Sequence, residues 1–214
     1  MTVIVHVVGG GLAGSEAAFQ LAERGHRVVL HEMRGVRGTP AHQTDRLAEL
    51  VCSNTFKSTE LTNAHGLLKA EMRLLGSVVL EGADVARVAA GSALAVDRDV
   101  FSATVQDRVM AHPLITVTRE EVTTIPAAPC LIATGPLTSD ALAESVRGRL
   151  GVQSLAFYDA IAPIIAVESI DQSVAFRAAR WNKETMPDPG KEKGAECGAG
   201  AQAQWGAGEG EGAV

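Results

Sequence analysis

The chain has 214 residues, is 46% hydrophobic, and carries a formal net charge of −6 with a mean hydropathy of +0.12. That length suits one good domain and part of a second, and no apolar run approaches the roughly 20 residues of a membrane span. The acidic balance speaks against a globally basic nucleic-acid binder while leaving room for a local basic face among the 19 Lys and Arg residues.

Residues 3–8, VIVHVV, are β-branched and nearly continuous in apolarity, which predicts a strand covered on both faces in a parallel sheet. Met1 precedes this run without the basic region or cleavage site of a signal peptide, so the expected address is cytoplasmic. GGGLAG follows, and then SEAAFQLAERG, where Leu12, Ala13, Ala17, Leu21 and Ala22 recur at helical spacing and Gly25 provides a left-handed stop. HRVVLHE, residues 26–32, closes a βαβ unit. From Met33 to Thr62 periodicity gives way to Gly, Pro, Ser, Thr and Asn, the pattern of a long irregular segment kept for function.

Asn63 is placed to cap a helix running to Leu75 and ended by Gly76. Its face of Leu67, Leu68, Glu71, Met72, Leu74 and Leu75 is expected to pack on the core. Phe101, Val105 and Val109 mark another helix, residues 115–125 read as a hairpin or strand pair, and residues 130–135, CLIATG, as a buried strand. One more strand is expected over residues 162–170. The alternation predicts an α/β fold with a Rossmann-like start and a parallel sheet. Residues 182–214 are dense in glycine with few apolar anchors, and disorder is expected there.

Gly9, Gly11 and Gly14 form GxGxxG between a predicted strand and a predicted helix, the context in which the motif binds a dinucleotide. The first glycine permits the tight turn, the second lets backbone approach a diphosphate, and the third lets helix and strand pack closely. The candidate cofactor-binding residues are Gly9, Gly10, Gly11, Leu12, Ala13 and Gly14. Glu32 completes the set, 18 residues after Gly14, where a carboxylate accepts from ribose hydroxyls and repels a 2′-phosphate. FAD or NAD fits; NADP does not. The LIATGP run reads equally as a close approach of backbone to a cofactor or as a strand followed by a plain turn.

The three cysteines, Cys52, Cys130 and Cys197, lie far apart with no CxxC pair, so neither a disulfide framework nor a metal site is indicated. Cys130 reads as a core thiol. Cys52 has His42, Arg46 and Lys57 nearby in sequence, groups able to favour a thiolate. On local sequence alone, though, a cysteine after Leu50 and Val51 reads more readily as an apolar filler than as a catalyst.

Several stretches together resemble one family, the bacterial folate- and FAD-dependent tRNA (uracil-5-)-methyltransferases, relatives of the GidA-type flavoproteins. They are VVGGGLAGSEAAFQLAERG, LHEMR, TPAHQTDRLAELVCSN, LTNAHGLLKAEMRLLGS, ALAVDRDVFS, LIATGPLTSDAL and FYDAIAPI, in the family's order from residue 3 to about residue 181. LVCSN and ELTNAHGLLK are far more specific than GxGxxG. The resemblance implies an enzyme that uses reduced FAD to pass a one-carbon unit from methylenetetrahydrofolate to C5 of a T-loop uridine in tRNA, with NAD(P)H as reductant. It implies that residues 9–14 and Glu32 hold FAD and that Cys52 is a catalytic acid–base cysteine. The family's second cysteine, in an Asn-Cys-Pro motif, has no counterpart here, and Cys197 in AECGAG does not match it. The resemblance therefore implies a chain truncated or frame-shifted after about residue 181, with an incomplete FAD-binding Rossmann-like domain with a parallel sheet over 1–150 and the start of a second, substrate domain over 151–181. Two other functions stay open: an inactive FAD-binding fragment and a general FAD-dependent oxidoreductase.

Overall fold

The run IVHVV becomes strand β1 (Ile4–Val8) in the computed structural model, which describes residues 3–153 and, beyond them, Leu155, Glu168, Ile170, Asp171 and Ser173. β1 pairs in parallel with β2 (Arg27–Glu32), in a register that sets Val8 opposite His31. Between them runs α1 (Leu12–Glu23), whose chain turns back through Gly25 at φ +85°. β6 (Ile115–Arg119) joins the far side of β2 and β7 (Cys130–Ile132) the far side of β1, giving a four-stranded parallel sheet in the order β6-β2-β1-β7. This is the Rossmann-like α/β arrangement expected from the alternation of elements.

One face of the sheet presents Val7, Val28, Leu30 and Ile115 to Ala18, Phe19 and Ala22 of α1 and to Val105 and Val109 of α4 (Arg98–Ala111), all buried in one cluster. The opposite face carries His6, His31, Thr116 and Thr118, which the register aligns in neighbouring strands. The sheet is thus apolar on its helix side and mixed on the other, and the outer end of β1 is open, with Ile4 exposed.

Between β2 and α4 lie elements that the periodicity did not announce. β3 (Thr55–Ser58), β5 (Ala93–Val96) and β4 (Arg87–Val88) make a small antiparallel sheet in the order β3-β5-β4. α3 (Val78–Val85) precedes β4, capped by the Ser77 hydroxyl, and packs Val78, Leu80 and Ala83 into the core. After β7, α5 (Asp140–Leu150) starts under a Ser139 cap and ends at Gly151 in the left-handed region.

Three expectations are corrected. Residues 115–125 hold a single parallel strand, β6, because Val28 to Glu32 of β2 take up all of its partners on that side. β7 is half-exposed, since among the described residues it pairs only with β1. α2 (Ala64–Leu74) starts where expected, with the Asn63 side chain accepting from the Gly66 N–H at 3.0 Å. However, Leu67, Leu68, Leu74 and Leu75 are all exposed. The helix is held instead through its other side, where Gly66 presses on the backbone of Glu60 and the Lys69 Nζ donates to the carbonyls of Phe56 and His65 at 2.7 and 2.6 Å. Of the described residues' helices, none is long and apolar enough to cross a membrane. The strand over 162–170, most of the segment 151–181 and the tail with Cys197 fall largely outside the described residues.

Phe101 is fully buried, with its ring 5.3 Å from that of Phe56, so it ties α4 to the small sheet. Phe101→Ala is expected to cost about 3–5 kcal/mol of unfolding free energy in urea titrations, the usual range for emptying a well-packed aromatic site.

Candidate functional site

The parallel register that places Val8 beside His31 also delivers the chain after β1 to the end of β2. The Gly9 N–H donates to the His31 carbonyl at 2.8 Å, and the next amide, Gly10 N–H, donates to Glu32 Oε2 at 2.8 Å. Gly9 has φ +102°, and a Cβ there would lie 2.7 Å from the Ala133 carbonyl oxygen. A Cβ on Gly14 would fall 1.7 Å from the Gly9 carbonyl oxygen, and one on Gly10 would fall 2.5 Å from the Leu47 side chain. The backbone contacts make Gly9 and Gly14 glycine for steric reasons, while a Cβ at Gly10 would have to displace the Leu47 and Glu32 side chains. Gly11 differs, because nothing lies within 4 Å of the position its Cβ would take. It is the N-cap of α1 and supplies no capping side chain, so the tip of a 12-residue helix, with its unpaired amides and positive dipole end, faces open space.

That space is a cleft of about 300 Å³. Its walls are the Gly9–Ala13 turn, Glu32 with Arg34, the segment bearing Thr39, His42 and Glu49, and the Ala133–Leu137 run after β7. The LIATGP stretch therefore does line the cleft, and the Ala133 N–H donates to the Val8 carbonyl at 2.7 Å to hold it there. On the mixed face of the sheet, His6 Nδ1 lies 2.9 Å from His31 Nε2, and His31 Nδ1 lies 2.7 Å from Glu120 Oε1. His31 and Glu120 also border the cleft.

Glu32 is only 5% exposed yet is met by three hydrogen-bond donors. Its Oε1 accepts from the Arg34 N–H at 2.8 Å, and its Oε2 accepts from Gly10 N–H and from Arg34 Nη2 at 2.7 Å. Burial pushes its pKa up, but the hydrogen bonds from the Arg34 side chain and backbone, the guanidinium charge and the Gly10 amide together outweigh it and hold the carboxyl below its ordinary value. A carboxylate offers about four lone-pair positions, so three donors leave one acceptor position on Oε1. His42, whose Nδ1 lies 2.6 Å from Thr39 Oγ1, has its pKa lowered by burial and by the positive charge of Arg34, against the opposing pull of Glu49 and Glu32.

The sequence reading missed Arg34, Glu49 and the His6, His31, Glu120 row. Arg34 is 3% exposed, and its Nη2 also donates to the Gly10 carbonyl at 3.1 Å. The available signal was position: an arginine two residues past the acid that ends β2. Cys52 is exposed and is not among the residues that line the cleft, although Val51 beside it is. The apolar-filler alternative for Cys52 is thereby excluded. Cys130 is half-buried in β7, and burial pushes its thiol pKa up.

An open helix tip, a glycine turn that no side chain can fill, and an ionised acid with one acceptor position free suit a ribose next to a diphosphate. The lowered pKa of Glu32 means that its contribution to stability is complete above the ordinary carboxylate value, about 4.3, and is lost as the pH falls from there through its lower folded value. Urea unfolding of the wild type and Glu32→Gln is expected to give a stability difference that is constant near neutral pH and changes only in that acid window.

A family model described as Glucose inhibited division protein A matches residues 4–201. Among curated proteins, methylenetetrahydrofolate–tRNA-(uracil-5-)-methyltransferase TrmFO of Methylobacterium radiotolerans is 58% identical over 194 residues, covering 89% of this chain and 40% of that protein. The proteins of the same name from Rhizorhabdus wittichii and Azorhizobium caulinodans are 58% and 61% identical over 185 and 183 residues, covering 86% and 84% of this chain and 42% and 39% of their own lengths. The chain thus spans about 40% of the length of the curated relatives it matches. Of solved structures, GidA of Aquifex aeolicus superimposes with a TM-score of 0.50 at 17% identity, over 62% of this chain and 25% of that one, a likeness of fold. With the family model covering nearly all of the chain, the protein belongs to the GidA family.

Proposed function

We propose that the Gly9–Gly14 turn and Glu32 hold FAD, and that the protein acts as its TrmFO relatives are named to act, as a methylenetetrahydrofolate–tRNA-(uracil-5-)-methyltransferase. The observation that carries this is the pairing, in one cleft, of the open α1 tip with the free acceptor position of Glu32. The amides of Gly11, Leu12 and Ala13 would hold the diphosphate, and Glu32 would accept from a ribose hydroxyl. Identity near 58% to proteins named for folate and tRNA supports the substrates: methylenetetrahydrofolate as one-carbon donor and a T-loop uridine of tRNA as acceptor.

Reduced FAD supplies the carrier chemistry for the one-carbon unit, with NAD(P)H as the reductant in a cytoplasmic protein. The chain's own residues bind and orient. The glycine turn fixes the dinucleotide end, Ala133 and Thr134 close the opposite wall, and Cys52, exposed on the segment that begins at the cleft wall, serves as the acid–base group for the proton at uracil C5. A second function is favoured by one observation, that Cys52 is not among the residues that line the cleft: FAD binding without methyl transfer.

The purified chain is expected to be yellow and to quench added FAD fluorescence in a saturable titration. Gly14→Ala is expected to abolish that quenching while its far-UV circular dichroism stays close to wild type, because the added methyl drives the α1 tip off the Gly9 carbonyl. An assay of undermodified tRNA with methylenetetrahydrofolate, FAD and NAD(P)H separates the two functions. Methyl incorporation at C5 that falls by at least about a hundredfold in Cys52→Ala supports the enzyme. FAD binding with no incorporation supports the second function.

A further inference from the structure

Arg34 is the most deeply buried charged side chain in the cleft wall, and nothing in the proposed chemistry yet uses it. Its Nη2 bridges two parts of the dinucleotide site at once, donating to Glu32 Oε2 at 2.7 Å and to the Gly10 carbonyl at 3.1 Å. Its Nη1 is buried with no hydrogen-bond partner among the described residues, and the nearest carboxylate, Glu49 Oε2, stands at 3.7 Å, an ion pair too long for a hydrogen bond. A guanidinium buried to this degree with a donor unspent is costly to keep. A salt bridge of this kind also adds little stability over an apolar replacement of both partners. Its retention therefore calls for a task other than stability.

Resting on the FAD reading above, we infer that Arg34 is a positioning residue for the adenosine ribose and acts through Glu32. The geometry supports this in two ways. The Nη2 of Arg34 and its backbone N–H fix the carboxylate plane together, because Oε2 is shared between Nη2 and the Gly10 amide while Oε1 takes the Arg34 amide. The same Nη2 ties that plane to the glycine turn through the Gly10 carbonyl, which also accepts from the Ala48 N–H at 2.9 Å. The ribose acceptor and the diphosphate turn are thus held as one unit. Without the guanidinium, a buried carboxyl tends to take up a proton, becomes a donor on one oxygen, and loses both its charge and its orientation.

Other titratable or charged groups surround Glu32: His42, Glu49 and Asp45 from the 39–50 segment, His31 on β2, and Arg119 and Glu120 at the end of β6, where Arg119 is the register partner of Glu32. Glu32→Gln and Arg34→Met each remove a charge that acts on His42, so the comparison is made in a His42→Asn background, where that imidazole no longer titrates.

The test is a double-mutant cycle on FAD affinity, read by flavin fluorescence in the full chain from about pH 5 to about pH 8. Wild-type affinity is expected to be nearly independent of pH over this range. Arg34→Met is expected to bind FAD about tenfold or more weakly at neutral pH, the usual cost of a charge-assisted hydrogen bond, and progressively more weakly as the pH falls. The Arg34→Met, Glu32→Gln double variant is expected to bind no more weakly than Glu32→Gln alone and to lose that pH dependence. Arg34→Lys, which keeps the charge but not the planar guanidinium, is expected to fold, to bind less tightly than wild type and to keep a flat pH profile. Additive losses in the cycle, or an Arg34→Met profile parallel to wild type, overturn the inference and leave the FAD reading standing. Should Arg34→Met fail to fold, Arg34→Lys with wild-type affinity overturns it. No FAD binding by the wild-type chain at any pH overturns both.

Discussion

A negative charge buried at the end of the second strand governs this molecule's site. Glu32 is nearly out of solvent, and an isolated carboxylate there would be driven toward its neutral form. It stays ionised because three donors converge on it, two from Arg34 and one from the Gly10 amide. That convergence needs the parallel register of β1 and β2, which sets Val8 beside His31 and so brings the glycine turn to the carboxylate. A shift of one residue would send Glu32 to the opposite face of the sheet and leave the Gly10 amide without its partner.

The same constraint explains the small residues around it. Gly14 must let the first turn of α1 lie against the Gly9 carbonyl, and Ala133 must let β7 approach the turn from the other side. With those contacts tight, room remains only above Gly11, at the helix tip. The helix end of α1 and the carboxylate end of β2 then face one space, and in the proposed complex the helix amides would meet the diphosphate's charge while Glu32 and Arg34 neutralise each other beside it. The Gly10 carbonyl carries the arrangement outward, since it also holds Ala48 in the segment that leads to Cys52.

Much of this was legible in the sequence. The first βαβ unit showed because a strand, a glycine turn, a helix and an acid follow one another within about thirty residues, and local spacing sets each of them. The Asn63 cap and the Phe101, Val105, Val109 stripe showed for the same reason. What stayed hidden depends on contacts distant in sequence. The Thr116 and Thr118 alternation suits a hairpin as well as a central strand with one polar face, and only pairing with β2 decides between them. The leucines of α2 form a stripe on a helical wheel, yet Gly66 and Lys69 on the other side make the docking contacts. β4 has two residues, too few for any period to register. Arg34 went unnoticed because an arginine in a polar stretch looks like a solvated one until the fold buries it. Cys52 illustrates the opposite error: apolar neighbours suggested a buried thiol, and the loop leaves it exposed.

The central claim is that the Gly9–Gly14 turn receives the diphosphate of FAD. A crystal structure of the chain grown with FAD tests it most directly. The account predicts diphosphate oxygens within hydrogen-bond distance of the Gly11, Leu12 and Ala13 amides, with a ribose hydroxyl donating to Glu32. Clear density for FAD elsewhere, with the α1 tip left to water, would contradict it.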